Sequence, residues 1–197
     1  MNPIQKKWDD IYQNLPDDLN PEPAFGLKAY DFLLPRKGLA IDLACGTGGN
    51  ALFLAKRGLQ TQAWDLSPVV LARLHRVAEQ NGLDLVCEVR DLEKSELPKR
   101  CYDVVVITRY LNRDLNKQVV DALKPGGLLY FQTFVLDKDP AVGPRNPDYL
   151  LGENELLSMF PGLVVRVFCE IRQVGQEIWI ATGTVKRRYR EVGEGTA

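Results

Sequence analysis

The residues best suited to chemistry cluster in the stretch AIDLACGTGGN, residues 40–50, where three glycines follow a short apolar run. Gly46 and Gly48 permit a tight turn and let a ligand approach the backbone closely, as in loops that cradle phosphates. Asp42 precedes this loop, and the loop contains no lysine. A carboxylate beside a glycine loop leaves open which ligand charge the loop favours.

Two ligand classes compete for this loop. Gly46-x-Gly48-x-x-Ala51 fits the pattern of dinucleotide sites, and Asp65 follows at a suitable distance to hold a ribose. The alternative is S-adenosylmethionine, which has a sulfonium and an ammonium group and no phosphate. A carboxylate ~5–8 Å from a pyrophosphate would repel it by about 2–3 kcal/mol at an effective dielectric of about 20, and it would attract a cation. Asp42 therefore favours S-adenosylmethionine over NAD. Alternatively, Asp42 has a purely structural role and accepts hydrogen bonds from the loop amides.

The elements around the loop alternate between strand and helix from residue 38 onward. Apolar runs such as GLAIDLA and YDVVVITRY are typical of buried strands, and SPVVLARLHRVAEQNG is helical with Ser67 as N-cap. RDLNKQVVDALKPGG is also predicted to be a helix, stopped by Pro125 and the glycines. Such alternation predicts an α/β fold with a doubly wound, Rossmann-like sheet of seven mostly parallel strands. The last two runs, LVVRVFCEIRQ and QEIWIATGTVKRR, are separated only by VG, which predicts a C-terminal antiparallel hairpin.

The N-terminal region is predicted to be separate from this sheet. Ile4, Trp8, Ile11 and Tyr12 fall on one face at helical spacing, and the segment NLPDDLNPEPAFG, residues 14–26, reads as a linker. We therefore divide the chain into residues 1–24, a helix and linker that could act as a lid, and residues 25–197, the main domain. Trp8 and Tyr12 either form part of a lid over the cofactor or simply pack the helix.

The sequence IDLACGTGGNALFLAKRG, followed by QAWDLSP, resembles motif one and the acidic loop after strand two of class I S-adenosylmethionine-dependent methyltransferases. The resemblance covers roughly residues 25–185, and the terminal hairpin is similar to the fold of that family. DLACGTG, DLSP and GPRNPDYLL resemble the small bacterial tellurite-resistance and thiopurine-type enzymes within it. Two departures are Ala44, where many members have glycine, and Gly49, where near relatives have arginine.

This resemblance implies S-adenosyl-L-methionine as the cofactor and assigns its contacts by position. Asp65 would accept hydrogen bonds from both ribose hydroxyls, and Leu66 would pack on the adenine. Asp91 would accept from the adenine amino group, with a plain surface acid as the alternative, and Leu92 would offer its backbone N–H. The predicted cofactor residues are Asp42, Ala44, Gly46, Gly48, Asp65, Leu66, Asp91, Leu92 and Thr108, with Trp8 and Tyr12 from the N-terminal helix.

Methyl transfer is an in-line displacement that mainly requires alignment of donor and acceptor, so an acceptor that is already ionised needs no strong base. The only histidine, His75, lies in mid-helix and is predicted to be structural. The acceptor wall is predicted in residues 108–114 and 143–149, where Arg109, Arg113 or Arg145 could hold an anion and Tyr110 or Tyr149 could pack on it. We select Arg109, Tyr110 and Arg145 as substrate-positioning residues. Arg113 could instead pair with Asp114 or Asp137.

Composition limits the remaining function classes. The net charge of −1 argues against a nucleic-acid surface, and TRYL stands where an Asn/Asp-Pro-Pro-Tyr/Phe motif would follow strand four. Four cysteines without CxxC spacing and a single histidine predict no metal site. No apolar run reaches about 18 residues and no signal peptide opens the chain, which predicts a cytoplasmic protein that does not bind membranes.

We therefore expect a methyltransferase for a small acceptor, anionic or a thiol or chalcogen compound. A protein that binds S-adenosylmethionine without catalysis and an NAD-dependent oxidoreductase are the alternatives, and the oligomeric state is left open.

Overall fold

A computed structural model describes residues 2–16, 20–171 and 176–183. Seven strands form one sheet; they are β1 Leu39–Leu43, β2 Gln60–Asp65, β3 Leu85–Val89, β4 Tyr102–Thr108, β5 Leu123–Phe134, β6 Leu163–Ile171 and β7 Gln176–Gly183. The α-helices are α1 Pro3–Gln13, α2 Phe25–Ala29, α3 Gly49–Lys56, α4 Pro68–Gln80, α5 Asn116–Ala122 and α6 Glu155–Ser158.

The strand order is β3-β2-β1-β4-β5-β7-β6. The five strands from β3 to β5 run parallel to one another, and β7 is antiparallel to both β5 and β6. The predicted α/β fold with a C-terminal antiparallel hairpin is thus confirmed. The predicted VG turn and the continuation of the last strand beyond Gly183 lie outside the described residues. The order reverses at β1, which lies between β2 and β4, and this is where open α/β sheets bind ligands.

Both faces of the central strands are buried, as expected for parallel strands covered by helices. On β1, Ile41 packs with residues of α5 and α6, whereas Ala40 packs with residues of α2 and α3 on the opposite face. A further apolar cluster joins α3 to α4. The sheet is therefore rigidly supported beneath the loops that follow its strands.

The helix predicted to begin at residue 113 and to stop at Pro125 is shorter in the structure. Residues Arg113–Leu115 form a 3₁₀ turn, the α-helix spans only Asn116–Ala122, and Leu123 already pairs with Tyr102 in the sheet. Pro125 disfavours helical backbone at the residue before it, so the chain leaves the helix early and enters β5.

The N-terminal helix is confirmed as α1, and it packs against α4. Asp9 is buried and accepts a hydrogen bond from the hydroxyl of Ser67, the N-cap of α4. Arg73 Nη1 donates to Leu15 O at 3.0 Å. The division at residue 24 stays a prediction. Within the described ranges, the structure contains no helix long and apolar enough to cross a membrane.

Candidate functional site

A cavity of about 350 Å³ opens at the carboxyl ends of β1 to β4. Its walls come from the loops after those four strands, from α1, and from the segment between α1 and α2. The residues that line it are Asn2, Ile4, Trp8, Tyr12, Glu22, Ala24, Ala44, Cys45, Gly46, Thr47, Gly49, Asn50, Asp65, Leu66, Arg90, Asp91, Leu92, Glu93, Thr108, Arg109 and Tyr110. The cavity volume lies at the lower end of the range for small-molecule sites.

Some residues of the glycine loop after β1 face the cavity, and others face the protein core. Gly46 has φ +52° and lines the cavity. Gly48 has φ +81° and does not line the cavity. A Cβ at Gly48 would lie 2.3 Å from Leu74 Cδ1 of α4, so glycine allows both the left-handed backbone and the close approach of the Leu74 side chain. Ala44 lines the cavity and has φ +52°, a left-handed conformation that strains any residue with a Cβ.

Gly49, the other departure from the family pattern, has a steric explanation. A Cβ at this position would lie 2.3 Å from the carbonyl oxygen of Glu22. The segment that leads from α1 to α2 therefore crosses directly over the start of α3. Glu22 and Ala24 of this segment line the cavity, so the predicted linker forms one of its walls.

Asp65 ties the glycine loop to the end of β2. Its Oδ2 accepts from Gly46 N at 2.8 Å, and its Oδ1 accepts from Ser67 N at 2.9 Å. Burial raises the pKa of Asp65, while the Ser67 and Gly46 amides oppose that rise. Each carboxylate oxygen has a second lone pair. Asp65 lines the cavity, so it retains acceptor capacity toward a ligand.

Asp42 lies behind the cavity wall and not at its mouth; it was expected to favour a cationic ligand either directly or through water. It is fully buried and does not line the cavity. Asn50 Nδ2 approaches Oδ1 at 3.5 Å, whereas Oδ2 has no hydrogen-bond partner among the described residues. Burial raises the pKa of Asp42 to about 7, and the nearby charge of Asp65 contributes in the same direction. Any effect of Asp42 on a ligand must therefore act through the wall.

Asn50 was missed by the sequence reasoning. Its side chain is only 6% exposed, yet it lines the cavity and makes three polar contacts. Oδ1 accepts from Ala24 N at 2.8 Å, and Nδ2 donates to Thr108 Oγ1 at 2.9 Å as well as facing Asp42. The available signal was an amide in the first turn of an otherwise apolar helix, GNALFLA.

The loops after β2 and β3 bring Leu66, Asp91 and Leu92 to the same end of the cavity. Asp91 Oδ2 pairs with Lys94 Nζ at 2.7 Å, which lowers the pKa of Asp91. Asp91 was predicted either to contact the adenine or to be a plain surface acid. In the structure it lines the cavity and also forms a surface ion pair.

Among the described residues that line the cavity, four carboxylates outnumber two guanidinium groups; they are Glu22, Asp65, Asp91 and Glu93 against Arg90 and Arg109. This balance favours a cationic ligand.

The α1 helix covers the cavity with two stacked aromatic rings. The ring centroids of Trp8 and Tyr12 lie 5.7 Å apart, and both residues line the cavity. Burial raises the pKa of Tyr12, with the charge of Asp65 as a further cause. The structure thus places both residues where a lid would need them.

The loop after β4 supplies Thr108, Arg109 and Tyr110 to the cavity. Arg109 has φ +57°, and its backbone N donates to Gln132 O at 2.7 Å, which fixes the backbone while the side chain stays exposed. Arg145 is exposed but does not line the cavity. Of the two arginines selected as substrate-positioning residues, Arg109 therefore lines the cavity and Arg145 does not.

Arg113 has a structural role. Its Nε and Nη2 pair with Glu155 at 2.5 and 2.9 Å, rather than with Asp114 or Asp137. It also donates to the carbonyl oxygens of Asp148 and Leu150 at 2.9 and 3.0 Å. These bonds hold the 143–152 loop against the loop after β4. The Arg113 guanidinium therefore makes its hydrogen bonds within the protein rather than to an acceptor.

The histidine and the cysteines add no catalytic group to the cavity. His75 is exposed on α4, 3.3 Å from Glu79, and lies outside the cavity. Cys45 lines the cavity, and burial raises the pKa of its thiol well above the usual range. Within the described part of the chain, no three His, Cys, Asp or Glu side chains are grouped to hold a metal ion.

Comparisons with known proteins agree with this geometry. Residues 40–127 match the family model described as a methyltransferase domain. Two proteins of Haemophilus influenzae named "Probable S-adenosyl-L-methionine-dependent methyltransferase TehB" align with the chain. One is 28% identical over 87 residues, 43% of this chain and 30% of that protein. The other is 30% identical over 123 residues, 59% of this chain and 42% of that protein. The chain thus spans less than half the length of these curated relatives.

The fold extends further than the sequence similarity. The crystal structure of TehB from Haemophilus influenzae superposes with a TM-score of 0.69 at 19% identity, covering 90% of this chain and 67% of that one. At this identity the superposition shows the fold alone. The shared motif region and the shared fold lead to one conclusion: residues 40–127 are similar to a methyltransferase domain, and the chain resembles the class I S-adenosylmethionine-dependent methyltransferases, TehB among them.

Proposed function

We propose that this protein is an S-adenosyl-L-methionine-dependent methyltransferase that acts on a small acceptor. The main support for the proposal is that the glycine loop is hydrogen-bonded to Asp65, from Gly46 N to Asp65 Oδ2. Both lie in a cavity whose lining is rich in carboxylates. A pyrophosphate would meet four negative side chains there, whereas a sulfonium and an ammonium group would be attracted.

The residues present fit this cofactor. Asp65 keeps lone pairs for ribose hydroxyls, and Leu66 and Leu92 offer apolar surface near Asp91 for an adenine. Asp42 Oδ2 is buried without a partner behind the glycine loop, and a cationic ligand nearby would favour the ionised form of this carboxyl. When bound, S-adenosylmethionine supplies an activated methyl group and leaves as S-adenosylhomocysteine.

The chain's own contribution is to orient the reactants and exclude water. The stacked Trp8 and Tyr12 rings cover the cavity from α1, and the segment containing Glu22 and Ala24 closes one side. Effective alignment of two reactants can supply most of the acceleration of such a displacement. Thr108, Arg109 and Tyr110, at the end of β4, form the wall on the side away from the β2 and β3 loops, and the acceptor would approach there.

We further propose that the acceptor is anionic, or a thiol or chalcogen compound. Arg109 is an exposed cation at the rim of the cavity, and the only histidine lies elsewhere, so a weakly acidic acceptor would find no imidazole base. The alignment with TehB, a protein named as a probable S-adenosyl-L-methionine-dependent methyltransferase, supports methyl transfer as the reaction.

The proposal is tested in two steps. Calorimetry should show that S-adenosylhomocysteine binds and that NAD binds more weakly or not at all. A screen of thiols, selenite, tellurite and phenols should then reveal production of S-adenosylhomocysteine. Tighter binding of NAD would support the oxidoreductase, and binding without turnover on any acceptor would support a non-catalytic binding protein. Turnover only on tRNA, DNA or a protein would refute the small acceptor.

A further inference from the structure

The Asn50 side chain imposes a direction on a chain of hydrogen bonds that ends in the cavity. A backbone N–H can only donate, so the Ala24 N–H requires the oxygen of the Asn50 amide to face it, at 2.8 Å. The NH₂ group must then face the other way, toward Thr108 Oγ1 at 2.9 Å. The orientation of the amide is thereby settled by a donor that cannot reverse.

This direction determines what Thr108 offers to a ligand. Because Thr108 Oγ1 accepts from Asn50, its own hydroxyl hydrogen is free to donate elsewhere. Thr108 lines the cavity and is partly exposed, whereas Asn50 is almost completely buried. The bonds from Ala24 through Asn50 therefore present the Thr108 hydroxyl as a hydrogen-bond donor toward the ligand.

The position of Thr108 in the sheet selects the ligand group. Asp91 follows β3 and Asp65 follows β2, so the adenosine part of the cofactor would lie over that side of the sheet. Thr108 ends β4, on the opposite side of β1, so it faces the amino-acid end. That end carries one ammonium and one carboxylate, and only the carboxylate accepts hydrogen bonds.

We propose that Asn50 is a positioning residue that holds the Thr108 hydroxyl as a donor to the carboxylate of the bound cofactor, and that the backbone N–H of Ala24 fixes its direction. This inference rests on the proposed cofactor. It adds to the site a buried amide and a backbone donor that act on the ligand's carboxylate through Thr108.

Two ligands separate this role from a general effect on folding. S-adenosylhomocysteine carries the carboxylate, whereas 5′-methylthioadenosine has the same adenosine part without the amino-acid end. Calorimetry on Asn50→Ala and Thr108→Val should show affinity for S-adenosylhomocysteine lower by about tenfold, as expected for a hydrogen bond to a charged group. Affinity for 5′-methylthioadenosine should stay within about twofold of wild type.

The Ala24→Pro variant tests the direction itself. Ala24 has φ −58°, which proline adopts; proline lacks the N–H, and its Cδ takes the place of that hydrogen and displaces the Asn50 amide from its 2.8 Å contact. Asn50 can then turn its oxygen toward Thr108, whose hydroxyl would donate to Asn50 and be lost to the ligand. Ala24→Pro should therefore weaken S-adenosylhomocysteine binding in wild type and have no further effect in a Thr108→Val background.

Asn81→Ala is the control for these variants. It removes an exposed asparagine at the C-cap of α4, whose Nδ2 donates to Val77 O outside the cavity, and it should bind both ligands like wild type. The inference is overturned if the two ligands lose affinity equally, if neither loses affinity, or if the Ala24 and Thr108 effects add. Failure of wild type to bind either ligand would instead refute the proposed cofactor.

Discussion

The backbone N–H of Gly46 donates to Asp65 Oδ2 at 2.8 Å, and this bond joins the two motifs that stand apart in the sequence. The other carboxylate oxygen of Asp65 accepts from Ser67 N, at the start of α4. One side chain therefore sets the spacing between the glycine loop and the α4 N-terminus. The ribose contact proposed for Asp65 and the shape of the loop depend on the same group.

Substitution of Asp65 should affect both binding and stability. We expect Asp65→Ala to weaken S-adenosylhomocysteine binding by about 1–3 kcal/mol, because the ribose hydroxyls lose a charged acceptor. It should also lower the free energy of unfolding by about 1–3 kcal/mol, because two buried amides lose theirs. Calorimetry and urea unfolding measure the two effects. Asp121→Ala, which removes an exposed carboxylate paired with Lys117, should change neither, and an unchanged dissociation constant in Asp65→Ala would place the ribose elsewhere.

Asp42 should make stability fall as pH rises. Burial raises its pKa to about 7 in the folded protein, far above the unfolded value. The folded state therefore binds more protons than the unfolded state between about pH 4 and about pH 7, and stability is lost across that window. From about pH 5 to about pH 8, wild type should lose on the order of 2–4 kcal/mol relative to Asp42→Asn in urea unfolding. Parallel pH profiles for the two proteins would show that Asp42 stays ionised throughout.

Replacement of Ala44 by glycine should stabilise the folded protein. Its φ of +52° costs a residue with a Cβ about 1–2 kcal/mol, partly offset by the greater freedom of glycine in the unfolded chain. We expect Ala44→Gly to raise the free energy of unfolding by about 0.5–1 kcal/mol. Ala51→Gly, in the interior of α3, should instead lower it by about 1 kcal/mol. A loss of stability in both variants would contradict the left-handed conformation of Ala44.

The two arginines predicted to hold the acceptor should behave differently. Arg109 lines the cavity and Arg145 does not. With an acceptor from the screen, Arg109→Ala should raise the acceptor KM by about three- to tenfold, the range expected for one charge-assisted contact at a partly exposed site. Arg145→Ala should leave KM within about twofold, and both variants should bind S-adenosylhomocysteine like wild type. An effect of Arg145→Ala alone would mean that the 143–152 loop closes on the acceptor.

The contact between Asp9 and Ser67 should hold α1 over the cavity. Asp9→Ala removes the acceptor for a buried hydroxyl, so we expect faster amide hydrogen exchange in α1 and weaker S-adenosylhomocysteine binding, by about 1 kcal/mol. Asp10→Ala, next in sequence but exposed and paired with Lys6, is the matched control. Equal exchange rates in the two variants would show that other contacts hold the helix.

The sequence was sufficient to predict the elements whose signals are local. The alternation of strand and helix, the Ser67 cap and the tight connection between the last two strands each depend on neighbouring residues, and the structure has the corresponding sheet and hairpin. Pro125 marks the end of α5 in the sequence, but its exact end at Ala122 is set by the pairing of Leu123 with Tyr102, which lies outside any local window.

The placement of residues around the cavity was decided by tertiary structure. Asp42 is directly before the glycine loop in sequence, yet the fold buries it behind the wall, because a strand residue's face depends on what packs against it. Arg113 and Arg145 both lie in polar loop segments of the sequence. In the structure Glu155 pairs with Arg113, whereas the path of its loop leaves Arg145 outside the cavity. The role of Asn50 depends on Ala24 and Thr108, which are 26 and 58 residues away. Only the folded chain brings a donor and an acceptor at such separations within 3 Å of the same amide, so the one sequence signal, an amide in an apolar helix, could not reveal its partners.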